Sequence, residues 1–235
     1  MSGFLPLERT ELASPAWFVP FDEFARRVRT AGVVIRLDRF ENGGWLPLDD
    51  VAVRTPSGAL AYPGLGRGGD PAAPRRYRAR FTAAGYEPFY PADDQPFSAG
   101  LLGIEFLVPA DGASGPAAPR LIRLLPGISY PYAPGIRLVS GFVFDAVSGA
   151  PVANALVEAL GRTSRDLVPW RERTLSDATG AFRLALRWEG EKAEVDAVEE
   201  TFHLSATERP GRTGSLEVRL PRDLGLRQVI RISES

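Results

Sequence analysis

The sequence predicts an all-β protein: two tandem β-sandwiches with an extended N-terminal arm and one short helix. Three observations carry this. Glycine (24) and proline (21) are spread through the 235 residues, as in chains of many short strands joined by turns. Apolar residues recur at spacing two, as in Phe182, Leu184 and Leu186, which writes one face of a half-buried strand. Helical spacing is confined to two short stretches. Phe21, Phe24 and Val28 recur around Asp22 to Arg29, and Val195 and Val198 more weakly mark Glu191 to Glu200.

Taken in order, residues 1–31 read as the arm with its short helix. Its apolar runs, Phe4-Leu5-Pro6-Leu7 and Trp17-Phe18-Val19-Pro20-Phe21, lie outside either expected core, so they fold back or reach a neighbour. Residues 32–109 read as a first sandwich, with strands near Val33–Leu37, Val51–Thr55, Tyr77–Ala83 and Gly103–Val108. Residues 110–135 read as a linker in which Pro126, Pro131 and Pro134 hold the backbone extended. Residues 136–235 read as a second sandwich. Its strands are expected near Ser140–Phe144, Ala155–Leu160, Ala181–Arg187, Phe202–Thr207, Ser215–Arg219 and Arg227–Ile232. The halves also rhyme: YRARFTAAGYEPFYP in the first stands where FHLSATERPGRTGS stands in the second.

From Val139 to Leu186, apolar runs flank the turn Gly149-Ala150-Pro151 and precede Ser176-Asp177-Ala178-Thr179-Gly180. This pattern resembles the carboxypeptidase regulatory-like family, a transthyretin-like, Ig-like β-sandwich, most strongly over residues 136–232. The resemblance implies a module that holds things together and brings no catalytic residues. The phrase from Gly141 to Glu158 is also similar to the core of the intradiol dioxygenases, which hold iron with two tyrosines and two histidines. This chain has one histidine, so that activity does not carry over.

Composition excludes further classes. The net charge of −1 gives no whole-molecule bias toward nucleic acid or an anionic membrane. Cysteine is absent, which removes disulfides, thiolate metal sites and a cysteine nucleophile. The N-terminus has no basic n-region with an apolar stretch, and no apolar run reaches membrane-spanning length. The expected location is therefore cytoplasmic, with incorporation into a particle released from the cell.

Catalytic, metal and cofactor residues are all expected to be none. His203 alternates with Phe202 and Leu204 in a strand and has no second histidine to complete a metal site. Asp145 and Asp177 precede Gly149 and Gly180, where turn chemistry accounts for them. Asp93-Asp94 reads as a loop pair. The glycine-rich Gly64 to Gly69 lacks the Lys-Ser/Thr of a phosphate loop, and no Gly-x-Ser-x-Gly elbow exists.

Binding residues are easier to nominate. Arg76, Arg78 and Arg80 alternate with Tyr77, Ala79 and Phe81, which places three guanidinium groups on one strand face. Arg183 and Arg187 repeat the arrangement. No aromatic residue interleaves with these arginines on their own face, which argues against nucleic acid. Tyr86, Phe89, Tyr90, Tyr130 and Tyr132 place large rings on proline-restricted backbone. Such rings anchor interfaces or pack the two modules together. With Phe4, Leu5, Trp17, Phe18 and Phe21 of the arm, these complete the candidate interface. The expected function is a non-enzymatic structural or adaptor subunit with protein partners, in a larger assembly or a homo-oligomer. The resemblance implies a phage-tail-like contractile injection particle as one such assembly. The alternative is a carbohydrate- or small-ligand-binding module that uses Tyr86, Phe89, Tyr90, Tyr130, Tyr132 or Trp170 as stacking platforms.

Overall fold

The computed structural model describes residues 14–66, 74–90, 96–109, 118–162, 169–187 and 200–234. Among the described residues there is no helix and there are two sheets. The first contains β1 (Trp17–Asp22), β2 (Arg27–Val28), β3 (Val33–Glu41), β4 (Gly44–Leu48) and β5 (Val53–Arg54). It continues through β6 (Leu60–Ala61), β7 (Arg75–Ala83), β8 (Tyr86–Phe89), β9 (Ile104–Val108) and β10 (Arg120–Pro126). The second contains β11 (Arg137–Asp145), β12 (Leu156–Arg162), β13 (Pro169–Leu175) and β14 (Ala181–Leu186). It is completed by β15 (Glu200–Arg209), β16 (Arg212–Leu220) and β17 (Arg227–Glu234).

Both sheets follow one strand path. The first reads β4-β3-β7-β8-β10-β1-β6, with β5 beyond β6 and with β2 and β9 attached to β1 and β7. The second reads β13-β12-β15-β16-β17-β11-β14. Once β2, β5 and β9 are set aside as additions, each path runs third, second, fifth, sixth, seventh, first, fourth in chain order. The opening strand lies parallel to the closing strand in both: Phe18 stands opposite Arg120, and Ser140 opposite Arg227. The other pairs along the path are antiparallel.

Each sheet turns back over itself to enclose its own core, in a β-sandwich-like arrangement. In the first, the Phe18 ring of β1 meets Phe81 of β7 and Phe106 of β9 edge-on, at 5.4 and 5.5 Å. In the second, Val143, Phe182, Ile230 and Ile232 pack with Val157, Phe202, Leu204 and Val218. The alternation expected of β7 holds: Tyr77, Ala79 and Phe81 are buried, while Arg76, Arg78 and Arg80 face outward. Asn42 and Gly43 both take positive φ, the conformation a two-residue hairpin between β3 and β4 requires. Gly141 is required by packing, because a Cβ there would overlap the Gln228 carbonyl of the parallel neighbour.

Three expectations change. The helix expected over Asp22 to Arg29 is a turn followed by β2. Phe21 pairs with Val28 and Asp22 with Arg27, and Asp22 Oδ1 accepts the Ala25 amide at 2.8 Å. The helical spacing of Phe21, Phe24 and Val28 arises from a tight reversal that brings two strands together. The arm contributes β1, and the linker contributes β10, a sheet-interior strand with Ile122 and Leu124 fully buried. Proline and glycine neighbours obscured β10, although its own residues alternate. The stretches Phe4-Leu5-Pro6-Leu7, Arg67 to Gly69, Asp93-Asp94 and Glu191 to Glu199 lie outside the described residues.

Candidate functional site

The two sandwiches meet where the corner of the first, β8 and β10, abuts β13, the outermost strand of the second path. Leu125, Phe89, Leu156 and Leu175 form a separate buried cluster there. Phe97 stacks on Phe89 at 5.5 Å with the rings 10° from parallel. Leu125 and Phe89 belong to the first unit, Leu156 and Leu175 to the second, so this small core exists only while the units are joined.

Around it lie charges withdrawn from water. Arg173 of β13 donates to Glu23 Oε1 at 2.6 Å, and both side chains are buried. Arg123 of β10 donates to the other carboxylate oxygen at 3.1 Å. The Arg173 guanidinium also sits 4.7 Å from the Phe89 ring centroid, a favourable cation–π placement. Thr174 donates its hydroxyl to the Pro126 carbonyl at 2.7 Å, and the Ala99 amide donates to the Glu208 carbonyl at 2.7 Å. Glu172 pairs with Arg187, with Arg26 at 4.0 Å. Burial nevertheless pushes the Glu172 carboxyl above its ordinary value, with Arg187 pulling the other way.

An aromatic cluster braces the connection between the units. Asp22, 1% exposed, accepts the hydroxyls of Tyr86 at 2.7 Å and Tyr130 at 3.3 Å. Tyr130 packs against Tyr86, Tyr132 and Phe24 at 5.2, 4.6 and 5.7 Å. From the second unit, Arg183 donates to the Ile128 and Tyr130 carbonyls and lies 5.1 Å over Tyr132. Burial, then the bond to Asp22, raises the Tyr86 phenol; burial and Asp22 raise Tyr130 likewise. Both hydroxyls therefore remain donors across the physiological range. Such a cluster positions backbone; it offers no exposed nucleophile or base.

The remaining nominated residues divide clearly. Phe18, Tyr86, Phe89, Tyr90 and Tyr130 are buried, whereas Trp17, Phe21 and Tyr132 are half-buried. Tyr90 accepts the Phe81 amide at 2.7 Å, and burial pushes its phenol up to about 12. Trp170, a stacking platform in the ligand-binding alternative, is buried too. Phe4 and Leu5 lie outside the described residues.

Arg76, Arg78 and Arg80 share an outer face, but their charge is answered. Arg78 and Arg80 both donate to Asp38, at 2.7 to 3.0 Å, and Arg76 donates to Glu105. Burial pushes the Asp38 carboxyl up, but the bonds from Arg80 and Arg78 outweigh it and hold the group below its usual range. Phe40 and Trp45 reach the same face from β3 and β4, and Arg78 lies 4.6 Å over Trp45. The expectation that no aromatics accompany these arginines is thus corrected: a single strand's alternation does not show what its neighbours supply.

The turn aspartates are occupied locally. Asp145 accepts the Val147 and Ser148 amides and the Ser148 hydroxyl. Those Ser148 bonds, with Arg212, hold its carboxyl at about 2. Asp177 accepts Thr179 and Ala181 in the same manner. His203 is exposed, opposite Glu217. Among the described residues, no three His, Cys, Asp or Glu side chains converge as metal ligands.

Sequence reasoning missed Glu23, Glu172, Arg173 and Thr174. The available signal was Pro169–Leu175 itself, where an Arg-Glu-Arg run sits between Trp170 and Leu175 in strand-length spacing. From Glu172 onward both faces of that strand are buried, which happens when an edge strand is covered.

The fold and joint define a class: a tandem pair of β-sandwich-like units of common strand path, fastened through a buried polar and apolar joint. No family model matches the chain, and no curated protein matches it. Among solved structures it is similar to a Streptococcal ancillary pilin, at 12% identity and a TM-score of 0.30. The match covers 94% of this chain and 62% of that one, so the chain spans less than two thirds of the pilin's length. It is also similar to shaft pilin SpaA from Lactobacillus rhamnosus GG, at 13% identity, 94% and 97% coverage and a TM-score of 0.27. The Bacillus anthracis TIE protein matches at 8% identity, 93% and 33% coverage and a TM-score of 0.27. Similarities this weak carry no inference about activity.

Proposed function

We propose that the chain is a non-enzymatic structural or adaptor subunit, a stiff two-sandwich element whose outer faces meet other proteins. The observation that supports this best is the buried Glu23–Arg173 pair beside the Leu125, Phe89, Leu156 and Leu175 cluster. A buried ion pair is costly to desolvate and destabilising when one partner is lost; here we read it as fixing one mutual orientation of the units. A mobile two-domain binder would have little use for such a joint. An enzyme would need an exposed group of altered reactivity, and the altered groups at the joint are tyrosines and carboxylates engaged in packing.

The resemblance of residues 136–232 to the carboxypeptidase regulatory-like family fits a holding role. The two parallel opening and closing strands extend that reading to the first unit as a second copy of the same module. We take the units as residues 14–126 and 137–234. The finer reading is a cytoplasmically assembled component of a contractile injection particle. Sedimentation of a native lysate with mass spectrometry of each fraction tests it. Recovery of the chain in a megadalton particle with sheath- or tube-like proteins is expected, and recovery only as a free small species overturns the reading.

A further inference from the structure

The outer face of β17, β11 and β14 differs from the other outer faces of the molecule. Pairing register sets its rows. Ser140 stands between Arg183 and Arg227, Phe142 between Ala181 and Val229, and Phe144 beside Arg231. These outward positions hold three arginines and no carboxylate. Arg183 is engaged by the Ile128 and Tyr130 carbonyls. Arg227 lies 5.8 Å over the Phe142 ring, and both Arg227 and Arg231 are exposed. Among the described residues, no carboxylate pairs with either one. Other outer faces carry carboxylates that answer arginines, Arg76 by Glu105, Arg171 by Glu158 and Arg219 by Glu217, while Arg36 and Arg120 are likewise exposed with no carboxylate pair among the described residues.

The same face is apolar between its charges. Phe142 and Phe144 are half-buried, and Val229 is 42% exposed. A hollow of about 200 Å³ opens beside them, lined by Ile128, Phe142, Ala181, Arg183 and Arg227. Arg227 and Arg231 are four residues apart on one strand, which separates them by roughly 13 Å with Val229 midway on the same face. An extended peptide has the same repeat.

We propose that this face docks an extended acidic segment of a partner protein, carrying two carboxylates four residues apart with an apolar side chain between them. The carboxylates meet Arg227 and Arg231, and the apolar side chain rests on Val229. Guanidinium groups favour planar carboxylate partners, and the missing charge is of the sign the partner must bring. A protein segment suits the face better than single-stranded nucleic acid, because the Phe142 ring is already occupied. Phe142 and Phe144 stack on one another at 5.8 Å and 17°, and Arg227 caps Phe142, which leaves Phe142 without an open face for a base. This deepens the adaptor reading and rests on it for the class of partner.

The test uses the full chain and a fluorescein-labelled peptide with the core Glu-Thr-Leu-Thr-Glu, followed by anisotropy. The expected result is saturable, salt-sensitive binding. It weakens by about tenfold or more in the double variant Arg227→Ser, Arg231→Ser, and for a peptide with both Glu replaced by Gln. Both arginines are exposed, so the double variant keeps its fold, as circular dichroism verifies. The doubly reversed variant, Arg227→Glu with Arg231→Glu, is expected to gain binding to the Lys-Thr-Leu-Thr-Lys peptide. Absence of saturable binding, unchanged affinity in the double variant, or tighter binding of oligothymidylate than of the peptide each overturns the proposal. A chain that fails here yet sediments in a large particle loses this surface and keeps the adaptor role.

Discussion

The two units share a strand path and differ in what they do with arginine. In the first, the outer face of β3, β4, β7 and β9 neutralises Arg76, Arg78 and Arg80 with Glu105 and Asp38, and Phe40 and Trp45 pack against Arg76 and Arg78. In the second, Arg173 is buried against the first unit, while Arg227 and Arg231 are left in water with no carboxylate partner among the described residues. One topology thus supports a self-contained face, a joint and an open face. Strand order positions the backbone; the identity of the outward residues decides which surface is closed, shared or free.

Breaking the joint has the largest expected effect on this comparison. Arg173→Ala leaves Glu23 buried with a weaker complement, and loss of one member of a buried pair typically costs about 3–5 kcal/mol. Urea denaturation should then resolve two transitions where the parent shows one, each unit unfolding by itself. A single transition at the parental midpoint would mean that the pair does not couple them.

Leu125→Ala probes the apolar half of the joint. Leu125 is fully buried, and truncation of such a leucine costs about 2–5 kcal/mol. Because its neighbours Leu156 and Leu175 belong to the second unit, the loss should appear in both units by hydrogen exchange, whereas Ile122→Ala should affect the first alone. An effect confined to the first unit for both variants would contradict the joint.

Tyr86→Phe removes one of the two phenolic donors to buried Asp22. The expected cost is about 1–3 kcal/mol, because among the described residues the carboxylate then keeps Tyr130 and the Ala25 amide. Thermal unfolding should show this without loss of the sandwich spectrum.

Glu87 sharpens the comparison most gently. Burial, then Asp177 across the joint, raises its carboxyl above the ordinary value. The folded chain therefore binds that proton more readily than the unfolded chain. This group's contribution to stability grows as pH falls through the raised value, and saturates below the unfolded one. Glu87→Gln should raise the urea midpoint slightly at pH 7 and leave it unchanged at about pH 3, below the unfolded value. A larger gain at the acidic pH than at neutrality would reverse the sign and remove Glu87 from the joint.

What could be seen in the sequence follows from what local pattern encodes. The strands at β3, β7, β9, β11, β12, β14, β15, β16 and β17 declare themselves by alternation or β-branched runs. β1 did not, because Pro20 interrupts it and its six residues read as an apolar arm. β10 did not, because prolines and glycines on both sides outweighed the alternation of Ile122 and Leu124. β13 did not, because its Arg-Glu-Arg run looks solvated, and only the first unit makes those charges buried. The nominated tyrosines came from local stiffness, which marks a ring as an anchor but leaves open whether it anchors a partner or the chain's own other half. The joint is nonlocal, since Glu23 and Arg173 are far apart in sequence, and no spacing rule connects them.

A stiff subunit requires that the joint hold the two units in one orientation. The absence of native cysteine allows clean spin labelling at Val34→Cys and Val229→Cys, two exposed positions on different units. Double electron–electron resonance should give one narrow distance distribution for the parent and a broad one for Arg173→Ala. A broad distribution in the parent would contradict a fixed joint.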